Sequence, residues 1–227
     1  MKNNNIFKLL TLLLLFATSE TFSQNNLGIH IGISNPISDF ASENPNNAMA
    51  AGAAIGFNIG LKYTYQLSDN GLGLFASLDF SRNSLTKDIK NDIEDVFESI
   101  GLLGANYTFY NYYNIPISAG LNYIYLPNEK VGLFTNVGIT FNLLKLSDFV
   151  VEGSGVKITS KYDLASAFGF KVGGGIIIND KISIAIDYLG LGKHTINGKA
   201  RVDGISSEDI DVEIKVNLLN ITIGYNF

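Results

Sequence analysis

The residues able to do chemistry are few. The chain has 227 residues, two histidines (His30 and His194) and no cysteine, which excludes disulfides, thiol nucleophiles and thiolate metal sites together. A hydrolase built on histidine needs a serine and a polar orienting group gathered beside the ring. His30 lies in an early alternating stretch and His194 in a late polar one, so spacing assembles no triad. The acids Asp88, Asp92, Glu94, Asp95 and Glu98 lack the ligand spacing of a calcium loop. The expectation is a protein that is not an enzyme and takes no cofactor or metal. What remains is charge pairing. Lys62, Asp79, Lys171 and Asp187, with His30, fall on the small-residue side of alternating stretches. A turn near residue 69 or 70 sets Lys62 one diagonal step from Asp79, and a turn at Asp180 sets Lys171 near Asp187. Diagonal neighbours across a hairpin stand about 7–8 Å apart, within reach of a lysine side chain. Such pairs are either a structural plug, supported by Asn58, Asn122, Asn136 and Asn220, or the lining of a narrow gated pore or proton path.

The elements that position these residues alternate with period two, the signature of strands with unlike faces. Leu27 to Ser34, Ala53 to Leu67, Leu72 to Ser81, Tyr113 to Tyr125, Val131 to Leu143, Phe168 to Ile176, Ile182 to Tyr188 and Leu219 to Phe227 each put Leu, Ile, Val, Phe or Tyr on one face. Gly, Ser, Asn, Thr and the five ionisable residues take the other. Pro116 falls on the small-residue face, where a strand tolerates it only if a ladder donor is dispensable. Short turns near 68–71, 127–130 and 179–181 alternate with long loops near 36–51, 83–109, 147–162 and 190–211. Short turns at one end, long loops at the other and an even strand number define outer-membrane barrels. The expected fold is all-β, an eight-stranded antiparallel transmembrane up-and-down β-barrel whose lumen is just wide enough for side chains to fill. Tyr63, Tyr65, Tyr123, Tyr125, Tyr225 and Phe227 sit at strand ends near the short turns and form the expected interfacial belt. The apolar phase flips between Leu218 and Leu219, which requires a bulge or a change of surroundings such as emergence from lipid. Within the second long loop, Ile89, Ile93, Val96, Phe97 and Ile100 recur at helical spacing, predicting a short amphipathic helix that packs on the rim.

Met1 to Ser23 reads as a secretory signal peptide. Lys2 and Lys8 flank its start, Leu9 to Phe16 form its apolar core, and Thr21 and Ser23 precede a cut before Gln24. Residues 24–227 are then the barrel domain. Removing Lys2, Lys8 and Glu20 from 16 basic and 21 acidic residues leaves 14 and 20, a net charge near −6. An acidic chain without basic clusters argues against nucleic acid as a partner. The hydrophobic fraction is 46% and the charged fraction 16%, with a mean hydropathy of +0.19, yet no later apolar run approaches the length of a membrane helix.

Gly28 to Pro36, Tyr113-Asn-Ile-Pro116, the glycine-rich stretch around Gly169 to Gly175 and the terminal Tyr225-Asn-Phe227 together resemble the small Bacteroidetes-type outer-membrane β-barrel family, which includes PorT-like proteins. The resemblance implies an outer-membrane location. It also implies lipid and the barrel-insertion machinery as partners, with Tyr225 and Phe227 as the C-terminal insertion signal, and a secretion or envelope protein as a further partner. The functional expectation is a barrel with a filled lumen that acts through its loops in envelope integrity, adhesion or secretion assistance. Two alternatives stand beside it. A small porin would be favoured by ten strands, with residues 101–110 and 150–160 holding the extra pair. A soluble exported barrel would need its apolar face covered by protein.

Overall fold

The computed structural model describes residues 25–128, 130–203 and 206–227; the expected signal peptide lies outside them. Eight long strands carry the fold: β1 (Asn25–Pro36), β2 (Gly56–Gln66), β3 (Leu72–Ser84), β5 (Asn111–Asn128), β6 (Val131–Leu146), β9 (Ala165–Ile178), β10 (Ile182–Val202) and β11 (Ser206–Asn226). Three short strands, β4 (Asn106–Thr108), β7 (Phe149–Gly153) and β8 (Val156–Tyr162), and one helix, α1 (Lys87–Ser99), lie between them. Each long strand pairs antiparallel with the next in the order β1-β2-β3-β5-β6-β9-β10-β11, and β11 pairs again with β1 from Gly28↔Asn226 to Pro36↔Leu218. The pairing therefore comes full circle.

Burial follows the alternation, but inside out. Asn58, Ser81, Asn114, Ser118 and Asn142 are buried, whereas Ile139 and Phe168 are 72% and 77% exposed and Ile31, Leu61 and Ile223 are exposed as well. Large apolar side chains outside and polar ones inside reverse the arrangement of a water-soluble core. This is the pattern that lipid demands, provided no backbone edge is left open within it. Pro116 shows how its missing N–H is accommodated. The β3–β5 ladder is interrupted between Leu78↔Ile117 and Ser81↔Asn114, opposite the proline, while the β6 side remains paired at Pro116↔Asn142.

The aromatic residues near the short turns are all exposed, and Tyr225 meets Phe227 edge-on at 5.4 Å. A second aromatic belt lies at the other end of the apolar band, on β2, β3, β5, β6, β9 and β10. Phe57, Phe80 and Tyr113 contact in succession at 6.0 Å, Phe141 meets Phe168 at 5.1 Å, and Phe170 meets Tyr188 at 5.5 Å. On β2 the two belts are marked by Tyr65 and Phe57. That separation is about 26 Å of strand, or roughly 20 Å of height at a tilt of about 40°, near the height of a membrane barrel's apolar band.

Beyond the second belt the polarity inverts. Leu189, Leu191, Ile196, Ile214, Val216 and Leu218 point inward and pack with Leu85, Leu144, Leu146 and Tyr112. Phe40, Ala51 and Ala53 of the β1–β2 loop join the same core. Tyr112 Oη donates to the Ala51 carbonyl at 2.6 Å, and Phe40 stands edge-on to Tyr112. The phase flip at Leu218–Leu219 is thus a change of surroundings. β11 runs through it without interruption, and the bulge falls on β10 between Gly190 and Gly192, where Gly192 has φ +87°.

Within two of the expected long loops the chain is strand: in 190–211, β10 runs to Val202 and β11 begins at Ser206. Residues 147–162 form a hairpin, β7 with β8, rather than a loop. β4 pairs with β7, and β8 with β10 at Gly198↔Tyr162 to Val202↔Ile158. Residues near 101–110 and 150–160 do pair, but as a flap outside the ring, because they join onto the distal half of β10 and insert between no two of the eight strands. Helix α1 packs Ile89 and Ile93 on the main core, and Phe97 on a second cluster of Leu102, Phe149 and Val151.

Candidate functional site: the charged lumen

The four lumen charges named from the sequence lie in one layer, but only one of the two expected pairs forms, Lys171 with Asp187. Lys171 Nζ lies 3.2 Å from Asp187 and 3.6 Å from Asp79. Asp79 also takes His30 Nε2 at 2.6 Å and the Ser77 hydroxyl at 3.1 Å. Lys62 stands diagonal to Asp79 across the β2–β3 ladder, where Gly60↔Asp79 and Lys62↔Ser77 are the direct partners. Its ammonium instead donates to Asn136 Oδ1 at 3.0 Å and sits 4.4 Å from the centre of the Phe134 ring. The reason is competition: His30 and Lys171 already occupy the Asp79 carboxylate, and Asn136 with Phe134 offers Lys62 an amide oxygen and a π face. Asn122 holds Asn136 from the next strand at 2.7 Å.

Glycines make the room. A Cβ on Gly60 would stand 2.5 Å from Asp79 Oδ1 and 2.6 Å from His30 Nε2, and one on Gly173 would overlap Asp187 Oδ1. The sequence shows these glycines as members of the small face but does not single them out. Phe75 falls on the inward face by parity but carries no assigned role there, and Phe134 was missed, both being large aromatics on a face of small and polar residues. That departure from the alternation was the available signal.

Above this layer, toward the long loops, lies a neutral one. Asn142 donates to Asn114 Oδ1 at 2.9 Å and lies 3.0 Å from His194 Nε2. Ser118 and Thr140 share a hydrogen bond at 2.8 Å, and Asn83 donates to the Ser34 carbonyl at 3.0 Å. The apolar core around Tyr112 and Leu218 closes the sequence of layers. On the short-turn side, a cavity of about 530 Å³ is lined by Asn26, Thr64, Gln66, Asp69, Asn122 and Asp180. It adjoins a recess of about 60 Å³ that reaches His30, Lys62, Lys171 and Asp187. Among the described residues no group of three or more His, Asp or Glu is placed to hold a metal ion, and the hydrogen bonds of both histidines run to Asp79 and Asn142 rather than to a serine. Lys171 is paired with both Asp79 and Asp187, Lys62 takes an amide oxygen, and some buried amide atoms, Asn58 Oδ1, Asn114 Nδ2 and Asn220 Oδ1 among them, have no protein partner among the described residues.

Residues 9–227 match the family described as outer membrane protein beta-barrel domain. The chain belongs to that family and is a protein of the outer membrane. No curated protein matches it. Among solved structures it is similar to Neisserial surface protein A at 14% identity, over 89% of this chain and 97% of that one, with a TM-score of 0.44. Ail of Yersinia pestis is similar at 18% identity, over 90% and 99%, with a TM-score of 0.41. OprG of Pseudomonas aeruginosa is similar at 14% identity, over 90% and 96%, with a TM-score of 0.47.

Proposed function

We propose that this chain is an eight-stranded transmembrane barrel that binds through its outer strands and loops, with a lumen that serves as a structural plug. The observation that supports this reading is the layering of the lumen. A charged layer, a neutral amide layer and an apolar core succeed one another along the axis, and the last is built from β5, β6, β10, β11 and the folded-in β1–β2 loop. An apolar core of this kind excludes water and hydrated ions. Short turns place the other end in the periplasm, and the α1, β7–β8 and β10–β11 structures outside the cell, where an envelope or secretion protein is the class of partner they suit. Tyr225 and Phe227 fit the role of insertion signal at the closing strand.

A second reading, a small porin, is supported by the cavity that reaches Lys171 from the short-turn end. Passage would then require the β1–β2 loop and α1 to leave the mouth. Single-channel recording of the refolded mature chain in a planar bilayer separates the two. Insertion without conductance is expected. Reproducible ion-selective steps that change in Lys62→Met would replace the plug with a pore.

A further inference from the structure

Beyond the lipid, β10 continues with β8 on one side and β11 on the other. The flap so formed has two edges. One is β4, only Asn106–Thr108 long and covered by Phe97 against Tyr107 at 6.1 Å. The other is β11. β1 leaves it at Pro36↔Leu218, Ile37 N–H takes the Asn217 carbonyl at 3.1 Å, and Lys215 reaches Asp39 at 3.8 Å. From Glu208 to Ile214, β11 pairs with β10 alone among the described residues. Alternate N–H and C=O groups of that stretch point away from the sheet without a ladder partner.

The side chains along this edge form two unlike rows. Val212 and Ile214 stand opposite Ile196 and His194 on the inner face. Ile196 and Ile214 are buried there, but Val212 is 44% exposed, so the apolar surface runs out at the edge instead of ending beneath a neighbour. On the outer face Asp209, Asp211 and Glu213 are all exposed, opposite Lys199, Asn197 and Thr195. Glu213 takes Lys193 at 2.7 Å.

We propose that this edge receives an extended segment of a protein partner, added to the flap as a further strand, with apolar and basic residues in alternation. The free ladder groups supply the backbone bonds, Val212 the apolar contact, and Asp209 and Asp211 the charge complement. A second copy of the chain is a poor occupant, since edge-to-edge pairing would bring acids against acids, and like charges directly opposite are destabilising. The inference rests on the binding reading above but fails separately from it: conductance tests that reading, and peptide binding tests this one.

The experiment uses the refolded mature chain in detergent micelles with a fluorescent octapeptide of alternating lysine and valine, followed by anisotropy. Two comparisons decide it: the same peptide with alternate backbone nitrogens methylated, which keeps the charge but cannot form the ladder, and the chain variant Asp209→Lys/Asp211→Lys. The parent peptide is expected to saturate, and the methylated one to bind at least tenfold more weakly. The charge-reversed chain should lose the lysine peptide and gain an alternating glutamate–valine peptide. Equal binding of the methylated peptide, no saturation by the parent peptide, or self-association of the chain through this edge would each overturn the proposal.

Discussion

Lys171 on β9 and Asp79 on β3 stand on strands that are not neighbours in the ring, and their side chains meet at 3.6 Å. The bond crosses the lumen. It links the β2–β3 hairpin to the β9–β10 hairpin, where Lys171 also holds Asp187, so one ammonium ties two walls of the barrel. Lys171 is 2% exposed and Asp79 likewise 2%, which makes removal of one member costly, because the other charges stay buried without it.

Lys171→Met is therefore expected to destabilise the refolded chain by about 3–5 kcal/mol, the usual cost of leaving a buried charge uncompensated. Lys171→Met/Asp187→Asn should recover part of that loss, and Asp79, which keeps His30 and Ser77, should need no second neutralisation. Urea unfolding in detergent measures this. Identical curves for the single and double variants would dissolve the pairing.

Gly60 and Gly173 leave the space in which the charged layer sits. Gly60→Ala is expected to cost about 1–3 kcal/mol through overpacking, since both nearby groups, Asp79 and His30, are fixed by each other. Gly132→Ala, whose nearest neighbour is the end of the Leu126 side chain at 3.0 Å, should cost less. Thermal melts that rank the two the other way would show that the layer is soft.

The two aromatic belts make a depth prediction. Leu61 lies between Phe57 and Tyr65 on β2 and faces outward, so Leu61→Arg should destabilise the chain in bilayers by about 2–4 kcal/mol. Val202→Arg, at the far end of β10 and 40% exposed, should change stability by less than about 0.5 kcal/mol. Comparable costs at both positions would move the membrane boundary.

Tyr110 and Tyr162 pack edge-on at 5.6 Å beside the β7–β8 hairpin. Burial raises both phenols, Tyr162 to about 12, with Tyr110 adding to the effect. An acid whose folded value is raised releases its proton more readily when unfolded. The stabilisation is thus full below the unfolded value near 10 and is lost as pH climbs through about 12. Tyrosinate absorbance during an alkaline titration should show a late class of phenols, and Tyr162→Phe should remove part of it. A single early transition would contradict the burial.

Phe227 is 76% exposed, and its N–H bonds the Leu27 carbonyl at 2.8 Å. Its side chain contributes little to the closed ladder, so Phe227→Ser should refold and melt nearly as the parent does while accumulating less in the outer membrane of cells. Equal losses in both assays would make the residue structural rather than a signal.

How much of this was legible in the sequence depends on the range of the interaction. Lys62, Asp79, Lys171 and Asp187 could be placed on the inner face from alternation alone, because a strand's faces follow from residue parity and register from its turn. Ser68 to Gly71 and Asn179 to Lys181 set those registers, and both hairpins have them. The outer lipid face was readable for the same local reason, as was the inversion of polarity at Leu218–Leu219. Tertiary structure decided what parity cannot reach. It determined which charge meets which across a lumen only side chains wide, so that Lys171 rather than Lys62 takes Asp79. It also determined that residues 101–110 and 150–160 pair as a flap on β10 instead of adding wall. Both outcomes depend on distances between strands far apart in the chain, and those distances exist only once the ring has closed.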